Sequence, residues 1–189
     1  MVAATRTPRE KWVEAGLAAL ADGGPDAVRV EALAKALGVT KGGFYGFIAD
    51  RDALLQAMLD TWERESTDEV LARVERAGGD PKAKLRRAGV LTFSSDRLLP
   101  IDLAVRAWAR RDEAVAARLR RVDNRRMGLL RELIGTVCSD PDEVEARSLM
   151  AFCLAIGEHY LAADHPHRTR AQVLRRAADL LLDRSVPGR

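Results

Sequence analysis

The chain has 189 residues, 47% hydrophobic and 31% charged, with a formal net charge of only +3. That is enough apolar material to bury a full core in one domain or two small ones. No segment has the length and purity of a transmembrane helix and the N-terminal run MVAATRTPREKW lacks an apolar signal-peptide core, so a cytoplasmic protein without a membrane partner is expected.

The first seven residues read as a disordered arm in which Arg6 can lie along a phosphate backbone. Pro8 suits the first turn of a helix. Trp12, Val13, Gly16, Leu17, Ala19 and Leu20 form its apolar face, and Asp22-Gly23-Gly24-Pro25 ends it. Residues 30–55, VEALAKALGVTKGGFYGFIADRDALL, then carry a helix-turn-helix and the start of a longer helix. Val30, Leu33, Ala34 and Leu37 have the three- and four-residue spacing of a short amphipathic helix. Gly38 accepts the left-handed backbone of a tight turn, Val39 plugs the angle between the helices, and Thr40 caps the next helix through its hydroxyl. That second helix runs from about Lys41 to Ile48, with Phe44 and either Phe47 or Ile48 inward and Lys41, Gly42 and Tyr45 outward. Asp50 caps a third helix carrying Leu54, Leu55, Met58 and Leu59.

Such a unit has a use in DNA binding because the major groove admits one helix, whose N-terminal end meets phosphates and base edges. Thr40, Lys41 and Tyr45 are of the types that reach phosphate oxygens. The same spacing also suits a small helical hairpin inside an all-α core, with Tyr45 and Phe47 only packing. The run LAKALGVTKG, the aromatic pair Phe44-Tyr45 and the DRDALL start of the next helix resemble the TetR family of tetracycline-repressor-like transcriptional regulators. By that resemblance Thr40, Lys41 and Tyr45 fall on positions used for DNA, mostly for phosphates. The chain departs from the family where Phe47, Ile48 and Ala49 replace the usual histidine, aromatic or aliphatic residue and lysine. Arg51 then stands as the nearby cation, and Arg29 replaces the usual Ser or Thr cap, unable to cap but able to reach a phosphate. Gly42, Gly43 and Gly46 leave few side chains to touch bases, so backbone approach and DNA shape should contribute more than side-chain hydrogen bonds.

From Asp50 to about Arg76 the apolar pattern is one long helix, including Trp62, Val70, Leu71 and Val74, which serves as a mechanical link between two domains. Gly78-Gly79-Asp80-Pro81 breaks it. A basic helix follows to about Ser94, with Phe93 on its apolar side, and Pro100 begins another in which Leu103, Ala107 and Trp108 face inward. Asp112 caps a longer helix to about Val137, with Val115, Leu119, Val122, Leu129, Leu130 and Leu133 as its stripe and Arg118, Arg121 and Arg125 along one side. Lys and Arg against Asp and Glu number 7 and 7 in residues 1–55, 3 and 7 in 56–81, 14 and 5 in 82–131, and 7 and 9 in 132–189. The balance in 1–55 argues against strong non-specific DNA affinity. The arginine-rich stretch reads as a solvated face paired with Asp123, Glu132 and neighbouring helices, with a patch for phosphates, an anionic ligand or an acidic lipid surface as the sharper reading.

Ser139-Asp140-Pro141 starts a helix to about Ala163, apolar through Leu149, Met150, Phe152, Cys153, Ile156, Tyr160 and Leu161, and a last helix runs from about Thr169 to Asp183. Both are apolar over more than one face, which calls for a second partner such as another subunit. Cys138 and Cys153 read as buried thiols. His159, His165 and His167 read as loop residues, with no metal, and no cofactor is expected. No nucleophile–base pair, phosphate-binding loop or paired carboxylates stand out, so no enzyme is expected.

The expected architecture is all-α with about nine helices: a helix-turn-helix domain over 1–50 and an effector-binding and dimerisation domain over 51–189. The resemblance implies a homodimer formed by the last two helices, which binds a palindromic operator and is released by a small-molecule effector. Candidate DNA contacts are Arg29, Thr40, Lys41, Gly42, Tyr45 and Arg51; candidate pocket walls are Trp62, Phe93, Trp108, Phe152 and Tyr160. The competing reading is a helical ligand-binding or scaffold dimer that has lost specific DNA binding.

Overall fold

The computed structural model describes residues 8–80, 83–84, 86–88, 91 and 96–182. The expected N-terminal arm with Arg6, the helix start at Pro81, and Phe93 lie outside the described residues. Among the described residues there is no strand, and nine α-helices have defined bounds: α1 Arg9–Gly23, α2 Val30–Ala36, α3 Lys41–Tyr45, α4 Arg51–Arg64, α5 Val70–Ala77, α6 Leu98–Ala109, α7 Glu113–Gly135, α8 Pro141–Gly157 and α9 Arg170–Leu182. The chain forms two compact units, one of residues 1–69 and 95–122, the other of 70–94 and 123–189. The helix-turn-helix thus folds within a larger unit than residues 1–50.

In the first unit α1 buries Trp12, Val13, Gly16, Leu17 and Leu20, the expected face with Ala19 only half-buried. Gly24 ends it at φ 71°. At Gly16 the helix backs directly onto α4, where an added Cβ would come 2.6 Å from the Met58 sulfur. Val28, Leu33, Phe44, Leu54, Met58, Leu59 and Trp62 complete a continuous core with Ile101, Val105, Val115 and Val122. Each large side chain removed from water contributes on the order of 1.5–3 kcal/mol. In α6 the core-facing residues are Ile101, Val105 and Trp108 together with Asp102, whereas Leu103 is half-buried and Ala107 exposed. The expected register was offset because this helix is apolar on nearly every side, and an acid takes an inward position. That acid is satisfied: Asp102 accepts from Trp62 Nε1 at 3.2 Å and from Arg106 Nε at 2.9 Å.

The long helical run after Asp50 is not uniform. α4 passes into a π-helical turn, Glu65–Glu69, before α5 begins. Ser66 and Thr67 are buried there, and the Thr67 hydroxyl donates to the Glu63 carbonyl at 2.7 Å, a side-chain claim on the helix backbone that accompanies bends. No spacing of apolar residues announces such a turn.

In the second unit Val70, Val74 and Ala88 form a small core. Asp140 caps α8 by accepting from the backbone N–H of Asp142 and Glu143. α8 ends at Gly157, earlier than the sequence suggests. Thr169 and Gln172 cap α9 reciprocally, each side chain accepting from the other's backbone N–H, at 3.2 and 2.9 Å, as in a capping box. The buried Arg147 donates to Glu143 and to the Leu181 carbonyl, fastening α8 to α9. One stripe of α8, with Ala146, Leu149, Met150, Cys153 and Gly157 at helical spacing, faces solvent, and Tyr160, Leu161 and Leu180 are exposed nearby in sequence or on α9. The cysteines are not buried thiols: Cys138 is half-buried and Cys153 exposed, both free.

The basic excess of residues 82–131 is largely absorbed within the units. Arg118 donates to Asp60, Glu63 and Gln56, and Arg121 to Glu63, so these arginines face acidic residues of α4. Arg97 bridges Glu14 and Glu65, Lys84 pairs with Glu75, Arg86 with Asp179, Arg126 with Asp123 and Arg131 with Glu145. Lys84, Arg97, Arg118 and Arg121 of the basic stretch pair with acids of the stretch 56–81.

Candidate nucleic-acid interface

α2 and α3 meet at the turn Leu37–Thr40. Gly38 adopts φ 67° there, its backbone N–H reaching the Lys35 carbonyl while that of Val39 reaches Ala34, so the left-handed residue is required by the turn itself. Val39 packs half-buried against the core as expected. Thr40 occupies the position before α3 but its hydroxyl accepts no capping hydrogen bond, contrary to the expectation. Thr40 is an exposed residue.

α3 is five residues long. The sequence predicts a helix to Ile48; it ends at Tyr45 with Gly46 as its C-cap, and the backbone N–H groups of Phe47 and Ile48 both turn back to the Phe44 carbonyl. Only Phe44 is buried in α3, its ring edge-on to Trp12 with centroids 5.2 Å apart and edge-on to Tyr45 at the same distance. Such aromatic pairs add about 0.5–1.5 kcal/mol beyond burial. Ile48 is buried beyond the helix and Phe47 half-buried. Lys41, Gly42, Gly43 and Tyr45 are exposed, Tyr45 at 53%. The lysine ammonium pairs with the Glu31 carboxylate in the first turn of α2. Their hydrogen bond holds the Glu31 carboxyl below its ordinary range and the Lys41 ammonium above its own. Arg29 is exposed immediately before α2 and caps nothing with its side chain. Arg29, Thr40, Lys41 and Gly42 are therefore exposed residues at or near the starts of two touching helices, and Tyr45 is exposed at the end of the second.

Arg51 is placed differently. It is half-buried, and its guanidinium donates to the Val28 carbonyl at 2.7 Å and the Pro25 carbonyl at 2.6 Å, fastening the segment between α1 and α2 to the start of α4. These bonds make Arg51 a buttress beneath the exposed residues. Asp50 caps α4 as expected, accepting from Ala53 N at 2.7 Å. Sequence reasoning missed Glu31 as a partner of Lys41, since ten residues and a turn separate them and no periodicity links them.

The five aromatic residues expected in a pocket do not share one setting. Trp62 is fully buried with its indole N–H on Asp102. Trp108 borders an open cavity of about 430 Å³ with Leu20, Pro25, Leu99, Leu103 and Arg111, and its indole N–H reaches Asp112 at 3.2 Å. In the second unit Phe152 is half-buried and Tyr160 is 63% exposed. His159 lies 3.7 Å from Glu158, and among the described residues no group of three His, Cys, Asp or Glu is arranged to hold a metal. Nor is any described helix long and apolar enough to cross a membrane.

Residues 13–58 match the family model of bacterial regulatory proteins, tetR family, and cover the elements just described from α1 into α4. No curated protein matches the chain in sequence. Solved structures share the fold at low identity. AibR in complex with isovaleryl coenzyme A and operator DNA is 16% identical with a TM-score of 0.66, over 92% of this chain and 97% of that one. A protein from Saccharomonospora viridis in complex with choline is 15% identical with a TM-score of 0.74, over 92% and 94%. A TetR/AcrR-family transcriptional regulator from Thermobifida fusca is 16% identical with a TM-score of 0.61, over 96% and 98%. Residues 13–58 thus match the tetR family of bacterial regulatory proteins, and the chain has the fold of a solved TetR/AcrR-family transcriptional regulator.

Proposed function

We propose that this chain is a homodimeric, ligand-responsive transcriptional repressor that grips a palindromic operator through Arg29, Thr40, Lys41, Gly42 and Tyr45. The observation that carries the reading is the division of α3: one ring, Phe44, is locked into the core, while Lys41 and Tyr45 stand outward on a surface flanked by Arg29 and Thr40. A hydroxyl, two cations and a phenol at the mouth of a helix-turn-helix suit phosphate oxygens on either side of a major groove. The solvent-facing apolar stripe of α8 supports a two-fold partner, since exposed contiguous apolar surface marks an interaction site. Two such surfaces related by a two-fold axis suit half-sites about one helical turn apart, roughly 34–36 Å. An effector releases the operator only by binding the dimer state unfit for DNA more tightly than the fit one. Trp108, on the wall of the cavity in the first unit, is the aromatic that an effector there would meet.

The test is selection of bound fragments from a random DNA pool by the purified protein at near-physiological salt. An enriched palindrome is expected, with binding lost on Lys41→Ala or Tyr45→Ala. Full binding by both variants refutes the site assignment. Absence of any enriched sequence favours a helical scaffold or ligand-binding dimer without an operator.

A further inference from the structure

Glu31 is an unusual neighbour for a phosphate-binding lysine. It sits in the first turn of α2 with its side chain 66% exposed, and it takes the ammonium of Lys41, itself half exposed. Lys41 is the single charged residue of α3. A carboxylate at the start of α2 is favourable to that helix by itself, through the unpaired N–H groups there. That benefit does not need a contact with the next helix. The pairing has another consequence: while Glu31 holds Lys41, α3 offers DNA no uncompensated charge.

We infer that Glu31 is an intramolecular stand-in for a DNA phosphate, occupying Lys41 in the free protein and yielding it only when the recognition helix is seated in the groove. The inference rests on the DNA-binding reading above and assigns Glu31 a role in discrimination between duplexes. An exposed ion pair of this kind is weak enough to be exchanged, because such pairs contribute little in water. A phosphate presented at the right place competes for Lys41 with charge-assisted hydrogen bonds of the same kind. A loosely held, sequence-independent encounter gains little from Lys41, since the carboxylate is already there and repels the backbone. A fitted operator recovers the loss through Thr40, Tyr45 and groove shape. The even balance of 7 cationic and 7 acidic residues in 1–55 has the same effect of holding down non-specific affinity.

The test compares the full-length protein, E31Q, K41A and the double variant on a mixed-sequence duplex of about 30 base pairs, long enough for two half-sites one turn apart, across a series of salt concentrations. E31Q is expected to raise affinity at low salt by roughly 3- to 10-fold and to steepen the salt dependence by about one unit of slope. In the K41A background the same substitution should raise it by less than about 2-fold, the difference being the coupling between the two residues. Equal gains in both backgrounds overturn the inference, because Glu31 then acts only as a repulsive charge. An unchanged affinity in E31Q beside a loss in K41A overturns it too, since Lys41 is then never withheld. Unaltered binding of the selected operator by K41A, or no DNA binding by any of the four, is a failure of the DNA-face reading itself. Matching thermal melts of the four proteins establish that folding is not the cause.

Discussion

Replacing Gly43 by alanine separates what the fold requires from what the recognition surface requires. Gly43 is helical, carries no positive φ, and an added Cβ would meet no heavy atom within 4 Å. The fold therefore gives no steric reason for glycine, and glycine inside a helix costs about 0.8–1 kcal/mol relative to alanine. Part of that arises from the freedom of the unfolded chain, where a compatible Gly→Ala change stabilises by roughly 0.4–1 kcal/mol. Gly43→Ala should accordingly stabilise the protein by about 0.5–1 kcal/mol, raising Tm by roughly 1–4 °C for a chain of this size. If α3 approaches the groove by its backbone, the same methyl group is an intrusion into a packed contact, and overpacking typically costs about 1–3 kcal/mol, roughly 5- to 150-fold in Kd. A thermal melt and a titration against the selected operator read the two effects, which have opposite signs. A lower Tm refutes the steric argument, and a raised Tm with unaltered Kd refutes the close approach.

Arg51→Ala should lower stability by about 1.5–3 kcal/mol through the loss of charged hydrogen bonds to the Val28 and Pro25 carbonyls, read in thermal unfolding; a variant as stable as the parent but weak on DNA makes Arg51 a phosphate contact after all. Asp102→Ala removes the acceptor of Trp62 and leaves Arg106 without the paired carboxylate beside it, so a loss of about 3–5 kcal/mol is expected in denaturant titration; a loss below about 1 kcal/mol means the group is readily solvated. Leu149→Asp on the exposed stripe of α8 should halve the mass seen by light scattering while helical content by circular dichroism is kept; an unchanged mass moves the dimer contact elsewhere. Gly16→Ala should destabilise by about 1–3 kcal/mol through crowding of the buried Met58, and a neutral result shows that the methionine swings clear.

Local chemistry made the helix-turn-helix readable. Gly38 in its left-handed turn, Asp50 as a cap and Phe44 as an inward ring are each decided within a few residues, and the structure has all three. Thr40 had the right residue type for a cap without making the bond, because a favourable residue type does not fix where its hydroxyl points. What escaped the sequence depends on distant partners. Asp102 takes an inward place in α6 because Trp62, forty residues earlier, offers an N–H to receive. Arg118 and Arg121 of α7 find their carboxylates on α4, at Asp60 and Glu63, more than fifty residues away. The π-helical turn at Glu65–Glu69 has no apolar period of its own, so periodicity reads straight through it. In the candidate surface, Lys41 and Tyr45 were legible as outward residues, while the engagement of Lys41 by Glu31 and the structural employment of Arg51 needed coordinates.

Under the proposed function, a recognition helix fastened by one buried ring has an evolutionary consequence. Lys41, Gly42, Gly43 and Tyr45 are exposed, and Phe44 alone ties α3 to the core beneath it. Substitutions at those four positions leave the core packing in place, and the one ring contact at stake is that of Tyr45 with Phe44. Binding preference at this surface is free to drift among descendants while the scaffold is conserved by its own packing. A duplicated copy of such a gene can acquire new target sites by a handful of mutations, none of which has to be rescued by a second change in the core.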